Sequence, residues 1–190
     1  LCTAAFLRME HSPTNLLRKN FNMPDNKSPS EYGASRERYL DLNELAKSVR
    51  KYFGKNPVVE AALYGNSSVE TGGSYKYDQK QRGGNGYGVF QFDFHRPYYR
   101  KFLKKEGLED NTDSQVKYVY ENIYGDQQNV LGAGNAKKVR EAFKSDDPEY
   151  VSDQFMEVFL RPGKPHRDRR VNATNKYYKQ LSETYNESGR

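Results

Sequence analysis

Glycine is concentrated in one short part of this chain. Six of the 15 glycines fall between residues 72 and 88. Glycine weakens helices and strands, but it allows left-handed backbone and a close approach of the chain to a ligand. Apolar residues recur at helical spacing on both sides of this cluster. We therefore expect helices before and after a glycine-rich segment, which holds the one β element of the chain.

Capping signals delimit the first helices. Asp41 and Gly54 bracket an apolar pattern, and a second helix begins with Asn56 as cap, has Pro57 in its first turn and ends near residues 72–73. Five further helical patterns follow, at residues 97–106, 113–124, 135–143, 148–160 and about 168–185. Asn135 is a candidate cap for the third of these.

The segment between these helices predicts a small β-hairpin. Tyr75 and Tyr77 alternate with polar residues over 74–80, and phenylalanines alternate over 88–94. The fold class is therefore α+β and mostly helical, in a domain spanning residues 36–185. Residues 1–35 are interpreted as an extended arm or linker, and residues 186–190 as a disordered tail.

Composition excludes several classes of protein. Leu, Ile, Val and Phe together make up only 36 residues, so the 16 tyrosines must contribute to the core. No run approaches the ~20 apolar residues of a membrane span. One cysteine and three histidines make a zinc site improbable, and we expect no metal or cofactor. The net charge is +6, and residues 161–190 hold eight Lys or Arg against three Asp or Glu.

Glu70 is the first candidate catalytic residue. It lies near the end of the second predicted helix, where the macrodipole disfavours a charged carboxylate. Apolar neighbours would raise its pKa further. A carboxyl that keeps its proton near neutral pH can act as a general acid on a leaving oxygen. The alternative is an exposed glutamate without a role.

Polar and aromatic residues of the glycine-rich segment could complete a cleft around Glu70. In a strand, Gln91 and Asp93 would share one face, and Asp78 lies on the opposite arm of the hairpin. The candidate ligand contacts are Gly86, Tyr87 and Gly88 in the loop, with Tyr75 and Tyr77 beside it. A nucleotide site is not expected, because no Lys-Ser/Thr follows the glycines.

The order of these residues resembles the active-site segment of goose-type lysozymes and lytic transglycosylases. Glu70 is followed by Gly-Asn-Gly-Tyr-Gly-Val-Phe-Gln-Phe-Asp at 84–93. The chain is more similar still to phage tail lysozymes, the lysozyme-like domains of phage virions. Two later blocks carry that similarity: Gly-Ala-Gly-Asn-Ala-Lys-Lys at 132–138, and a Phe-x-Arg-x-Gly-x-Pro-His run at 159–166 that continues to 170. The resemblance covers about residues 40–180.

This resemblance implies a lysozyme-like, two-lobed fold with an active-site cleft. Glu70 would be the acid that cleaves the β-1,4 bond between N-acetylmuramic acid and N-acetylglucosamine. Asp93, or alternatively Asp78, would position the attacking water, and Gln91 with the loop backbone would hold the sugar amides. Arg161 and His166 could line the cleft, or the segment 161–170 could be a rigid turn between helices. The Tyr-Asn-Ala-Gly block of transglycosylases is absent in that form.

The expected function is therefore that of a peptidoglycan muramidase carried by a phage virion, in its tail or internal core, and acting in the host periplasm or cell wall. The expected partners are glycan strands and other virion proteins, without a membrane span or specific nucleic-acid binding. Two alternatives remain: a lytic transglycosylase acting on the same bond, and a non-catalytic virion module that keeps the lysozyme fold.

Overall fold

Helices make up most of the chain in the computed structural model, which describes residues 33–188. The helices are α1 (Gly33–Phe53), α2 (Pro57–Thr71), α3 (Arg96–Glu106), α4 (Thr112–Ile123), α5 (Gln128–Leu131), α6 (Ala133–Ala142), α7 (Pro148–Gln154), a π-helical turn (Phe155–Leu160) and α8 (Arg167–Ser188). The expectation of a mostly helical fold is confirmed. The expected arm at 1–35 lies almost entirely outside the described residues, and α8 continues past position 185.

Helix α2 runs through the centre of the fold and has the ends that its sequence predicts. Asn56 caps it, since its Oδ1 accepts hydrogen bonds from the N–H groups of Val58 (3.0 Å) and Val59 (3.1 Å). Gly72 ends it in the left-handed conformation (φ 61°). Every residue from 58 to 67 is buried, because α2 packs against α1, α7 and α8. Its last turn therefore has a fixed position.

Aromatic side chains fill much of the core. Tyr64, Tyr99 and Tyr118 are almost fully buried, which confirms that tyrosine supplements the few aliphatic residues. Tyr99 and Tyr118 form one continuous cluster of ring contacts with Phe90, Phe92, Phe155 and Phe159, and Tyr64 packs separately against Tyr177. Burying each such ring contributes about 1.5–3 kcal/mol. This cluster connects the glycine-rich segment to the π-helical turn.

The predicted β-hairpin is wrong. In residues 33–188 there is no strand, only one isolated antiparallel bridge between Lys80 and Tyr87. Tyr75 (φ 58°) and Gln91 (φ 47°) are left-handed, so neither arm can stay extended. Residues 88–92 form turns, and Val89, Phe90 and Phe92 are all buried. The phenylalanine alternation therefore reflects buried turns and not a strand with two faces.

Two further expectations about helix ends require correction. The pattern at 148–160 predicts a single helix, but the chain widens into a π-helical turn after Gln154, where the N–H of Arg161 bonds to the carbonyl of Met156 (2.8 Å). Asn135 is not a cap, because α6 begins two residues earlier, at Ala133. Its side chain instead donates to the carbonyl of Leu131 (3.0 Å). Both differences affect the segments that approach the candidate site.

Among the described helices, none has the length and apolar composition needed to cross a membrane.

Candidate active site

Glu70 lies in the last turn of α2, and its side chain is only 14% exposed. Burial raises the pKa of Glu70 above its ordinary value, because the ionised carboxylate loses more hydration than the neutral acid. The helix end acts in the same direction, since its free carbonyl groups disfavour negative charge. Glu70 therefore keeps its proton to a higher pH than an exposed glutamate.

Arg170 is the direct partner of Glu70. Its Nη2 donates to Oε1 of Glu70 at 2.8 Å, and the arginine side chain is only 2% exposed. Arg170 and the nearby His166 both lower the pKa of Glu70, but they do so less than burial raises it. The pKa of Glu70 thus reflects two opposing effects, desolvation and neighbouring positive charge, of which desolvation is the stronger.

A buried polar network holds Arg170 in place. Its Nη1 donates to Oδ1 of Asn66 (3.0 Å), and the amide nitrogen of Asn66 in turn donates to Oγ of Ser152 (2.9 Å) on α7. Thr174, one turn after Arg170 on α8, donates to the same Ser152 hydroxyl (3.0 Å). Asn66, Ser152 and Thr174 are fully buried. Since every member has a partner, the network fixes the relative positions of α2, α7 and α8.

The glycine-rich segment is anchored to α2 and α4 by side chains. Oγ of Ser67 on α2 donates to the carbonyl of Val89 (2.8 Å), and the N–H of Val89 donates to Oε1 of Gln115 (2.9 Å) on α4. Gly88 is left-handed (φ 82°), and a Cβ there would lie 2.2 Å from Oε1 of Gln115. Only glycine can therefore bring the backbone this close to Gln115. These contacts hold the segment beside the end of α2.

Four non-glycine residues in the described chain have left-handed backbone: Tyr75 (φ 58°), Gln91 (φ 47°), Arg161 (φ 51°) and His166 (φ 46°). This conformation costs roughly 1–2 kcal/mol for each such residue. Strain of this kind is retained where the surrounding structure fixes it, and it is frequent at ligand sites. All four residues belong to the set that the sequence predicts to contact substrate.

An open groove of about 380 Å³ lies where the end of α2 meets the start of α8. Its walls are formed by Ser68, Val69, Gly72, Gly73, Arg169, Asn172 and Ala173. The volume lies within the range of small-ligand sites. Sequence reasoning did not select the residues of this groove, although four of them, at positions 68, 69, 72 and 73, lie within three residues of Glu70 in the chain. In residues 33–188, no group of three His, Cys, Asp or Glu side chains is placed to bind a metal ion.

Residues 44–181 match the family model described as phage tail lysozyme. The chain belongs to the phage tail lysozyme family. The matched range includes Glu70, the glycine-rich segment and both later blocks. Family membership supports a lysozyme-like domain that acts on peptidoglycan, and the mostly helical architecture fits a lysozyme-like fold. No curated protein and no solved structure matches the chain.

The two candidate second carboxylates of this phage lysozyme domain have surroundings unlike those of Glu70. Asp78 and Asp93 are exposed, and neither is among the described charges that shift the pKa of Glu70. The negative charge of Asp78 instead contributes to raising the pKa of Tyr87 and that of Asp41. The backbone carbonyl of Asp93 accepts from the N–H of Arg96 (3.2 Å), close to the start of α3.

The predicted tyrosines have different environments. Tyr75 is buried, and its hydroxyl is hydrogen-bonded to the hydroxyl of Tyr177. Tyr87 is half-buried and donates to Oδ2 of Asp110 at 2.5 Å. Tyr77 has an exposed ring. Tyr75 is therefore a core residue in this structure, and Tyr77 is the most accessible of the three.

Gln91 has a supporting contact within the loop. Its amide nitrogen donates to the carbonyls of Gly88 (2.8 Å) and Gln79 (3.2 Å). A Cβ on Gly86 would lie 2.8 Å from its Oε1. The side chain of Gln91 therefore stabilises the conformation of the glycine-rich segment through these two hydrogen bonds.

Arg161 and His166 lie on the exposed turn between the π-helical turn and α8. The guanidinium of Arg161 lies 5.6 Å from the ring centre of Phe94, and its Nε donates to the carbonyl of Val158 (3.0 Å). The ring of Phe94 is exposed and contacts that of Tyr98, with ring centres 5.6 Å apart. Sequence reasoning did not select this pair of exposed rings.

Sequence reasoning also did not identify Arg170 or Gln115. Arg170 is one of eight basic residues in the terminal segment, and its residue type does not distinguish it from the other seven. Its position at the end of the 159–170 block was the available signal. Gln115 lies in an ordinary helical pattern, so nothing local marks it as the anchor of the glycine-rich segment.

Proposed function

We propose that this domain is a muramidase that hydrolyses the β-1,4 bond between N-acetylmuramic acid and N-acetylglucosamine, with Glu70 as general acid. The observation that carries the proposal is the shielded carboxyl of Glu70, whose pKa is raised by burial beside a helix end. Membership of the phage tail lysozyme family supplies the substrate class.

The proposed reaction begins with transfer of the Glu70 proton to the glycosidic oxygen. The bond from the anomeric carbon to that oxygen then breaks, which gives the leaving sugar a neutral hydroxyl and leaves an oxocarbenium-like centre. Water adds to that centre and loses a proton to a carboxylate on the far side of the ring. The second carboxylate then releases its proton to solvent and Glu70 takes one up, so one water molecule is consumed for each bond.

Asp93 is our first candidate for the carboxylate that activates this water, and Asp78 is the second. Both side chains are exposed, so water can reach either carboxylate. The proposed glycan path is lined by the loop backbone at 86–88 and by the side chains of Tyr77, Tyr87, Gln91, Arg161 and His166.

Asp93→Asn and Asp78→Asn variants identify the base, since loss of a general base reduces the rate by about 10²–10⁴-fold.

Lytic transglycosylase chemistry is the second candidate function, and the environment of Glu70 favours it. The described side chain that contacts Glu70 is Arg170, a cation, and not an aspartate that could activate water. In a transglycosylase the sugar's own hydroxyl attacks the anomeric centre and forms an anhydro ring. Mass spectrometry of the released muropeptides separates the reactions, because the anhydro product is lighter by one water.

The Glu70→Gln variant tests the proposed acid. We expect it to lose about 10²–10⁴-fold in the rate of muropeptide release from purified peptidoglycan, because glutamine has no acidic proton. Glu183→Gln is the matched control, since Glu183 is exposed on α8 and should keep full activity. A Glu70→Gln protein as active as this control would contradict the proposal.

We also propose that the domain is part of a phage particle, in its tail or internal core, and opens the host wall locally during infection. The family description supports a phage-associated protein that acts on the cell wall. Mass spectrometry of purified virions would detect the chain if this placement holds.

A further inference from the structure

Arg170 has contacts on three sides that fix its guanidinium before any substrate binds. Nε donates to the carbonyl of Pro165 (2.6 Å), Nη1 to Oδ1 of Asn66 (3.0 Å) and Nη2 to Oε1 of Glu70 (2.8 Å). Two of these acceptors are not Glu70, so the orientation of the guanidinium does not depend on the acid. The side chain is nearly inaccessible to solvent, which excludes water from competing for these donors.

The contact with Glu70 involves one carboxyl oxygen only. In the described part of the chain, Oε1 accepts from Arg170, and no hydrogen bond reaches Oε2. A guanidinium has donors and no acceptor, so the oxygen facing it must present a lone pair. A proton on Glu70 therefore belongs on Oε2, the oxygen that does not face the guanidinium.

We infer that Arg170 is the positioning residue for the acid: it holds Oε1 as an acceptor and thereby directs the transferable proton to Oε2. This inference rests on the proposed role of Glu70 as general acid. Arg170 has a second effect during transfer. As the proton leaves Oε2, negative charge develops on a carboxylate that already bonds to a cation, and such charge-assisted hydrogen bonds are stronger than neutral ones. Arg170 thus stabilises the transition state more than the resting acid.

The contact between Arg170 and Glu70 predicts how the activity depends on pH. Activity requires protonated Glu70, so it falls as pH rises through the pKa of this group. Arg170 and His166 are the described charged groups that face Glu70, and both lower its pKa. Removing the charge of Arg170 should therefore move the alkaline limb of the activity profile to higher pH, by about one pH unit.

The experiment compares Arg170→Gln, Arg170→Lys and Lys176→Gln in the full chain, with purified peptidoglycan as substrate. Lys176 is exposed on the same helix, so its variant removes one positive charge without touching Glu70. We expect Arg170→Gln to shift the alkaline limb upward and to lower the maximal rate by roughly 10–10²-fold, as for a misplaced catalytic group. Arg170→Lys keeps the charge but cannot reproduce three fixed donors. It should lower the rate with a much smaller shift of the limb.

His166→Gln completes the comparison, because His166 is the other charge acting on Glu70. We expect it to move the limb less than Arg170→Gln does, since its influence is smaller and its side chain is exposed. A larger shift in His166→Gln would overturn the assignment to Arg170.

A measurement on the unmodified protein decides the question if Arg170→Gln does not fold. The side-chain N–H signals of Arg170 in a ¹⁵N NMR titration should follow the protonation of Glu70, and they should be independent of pH over that range in Glu70→Gln. Arg170 signals that do not respond to pH in the unmodified protein would overturn the inference. So would an Arg170→Gln limb identical to that of Lys176→Gln.

These outcomes are separate from failure of the proposed function. If Glu70→Gln still degrades peptidoglycan, the proposed acid is wrong, whatever Arg170 does. If Glu70→Gln is inactive and the Arg170 variants leave the limb unmoved, only the present inference fails.

Discussion

At the scale of single residues, the structure places two groups where burial controls protonation in opposite ways. Burial raises the pKa of Glu70 because its charged form is poorly hydrated, and an arginine 2.8 Å away does not reverse this. His95 loses its proton for the same reason, since burial disfavours the imidazolium. Burial therefore shifts the protonation equilibrium of both side chains toward the neutral form.

His95 predicts a loss of stability in mild acid. Burial lowers its pKa to about 4, and its ring lies on that of Phe159, with centres 4.5 Å apart. Nε2 must donate to the carbonyl of Phe159 (3.1 Å), so Nδ1 accepts from the hydroxyl of Tyr118 (3.1 Å). Between pH 6.5, its ordinary pKa, and about 4, the unfolded chain binds a proton that the folded state excludes. The free energy of unfolding should fall by about 3 kcal/mol over this interval.

Urea unfolding at a series of pH values measures this loss, and His95→Gln identifies its source. The variant should show a smaller decrease than the unmodified protein, whereas His166→Gln, at an exposed position, should retain the full decrease. Glu70 acts in the opposite direction, because a carboxyl with a raised pKa favours the folded state at low pH. A pH dependence that is the same with and without His95 would contradict the assignment.

At the scale of elements, the site depends on how closely α2 approaches α8. Gly65 faces the backbone of Thr174: a Cβ at this position would lie 2.7 Å from the backbone nitrogen of Thr174 and 2.8 Å from its Cα. The same pair of helices carries Glu70 and Arg170, each about one turn from this contact. A small change in the distance between the helices therefore changes the ion pair.

Gly65→Ala should both destabilise the fold and reduce activity. The added methyl group meets backbone, which cannot rotate away, so we expect a loss of about 1–3 kcal/mol in the free energy of unfolding. Gly134→Ala is the matched control, since Gly134 lies in α6 with open space around its Cα. It should be neutral or slightly stabilising. Thermal unfolding of the two variants measures the difference, and equal unfolding temperatures would show that α2 and α8 can separate without cost.

At the scale of the whole molecule, segments far apart in the chain meet at the end of α2. The glycine-rich segment reaches it through Ser67, and the block at 159–170 reaches it through Arg170. Arg161 at the start of that block also approaches the carbonyl of Leu131 (3.5 Å), which adjoins the block at 132–138. The three blocks that carry the resemblance to phage tail lysozymes thus belong to one connected region.

Local chemistry made part of this arrangement predictable. Asn56, Pro57 and Gly72 specify both ends of α2, and with them the position of Glu70 at a helix terminus. The conformation of the glycine-rich segment was not predictable, because left-handed Tyr75 and Gln91 are imposed by tertiary contacts and have no signature in residue type. The partner of Glu70 lies 100 residues away, and helix packing, not local pattern, brings it near.

A ¹³C NMR titration of the Glu70 side-chain carboxyl, assigned with Glu70→Gln, tests the central claim most directly. The claim concerns the assembled fold, since an unfolded chain would give Glu70 its ordinary pKa of 4.5. We expect a midpoint above that value in the native protein and a return to it in denaturant. A native midpoint at or below 4.5 would mean that Arg170 outweighs burial, and Glu70 would then be too acidic to serve as the proton donor.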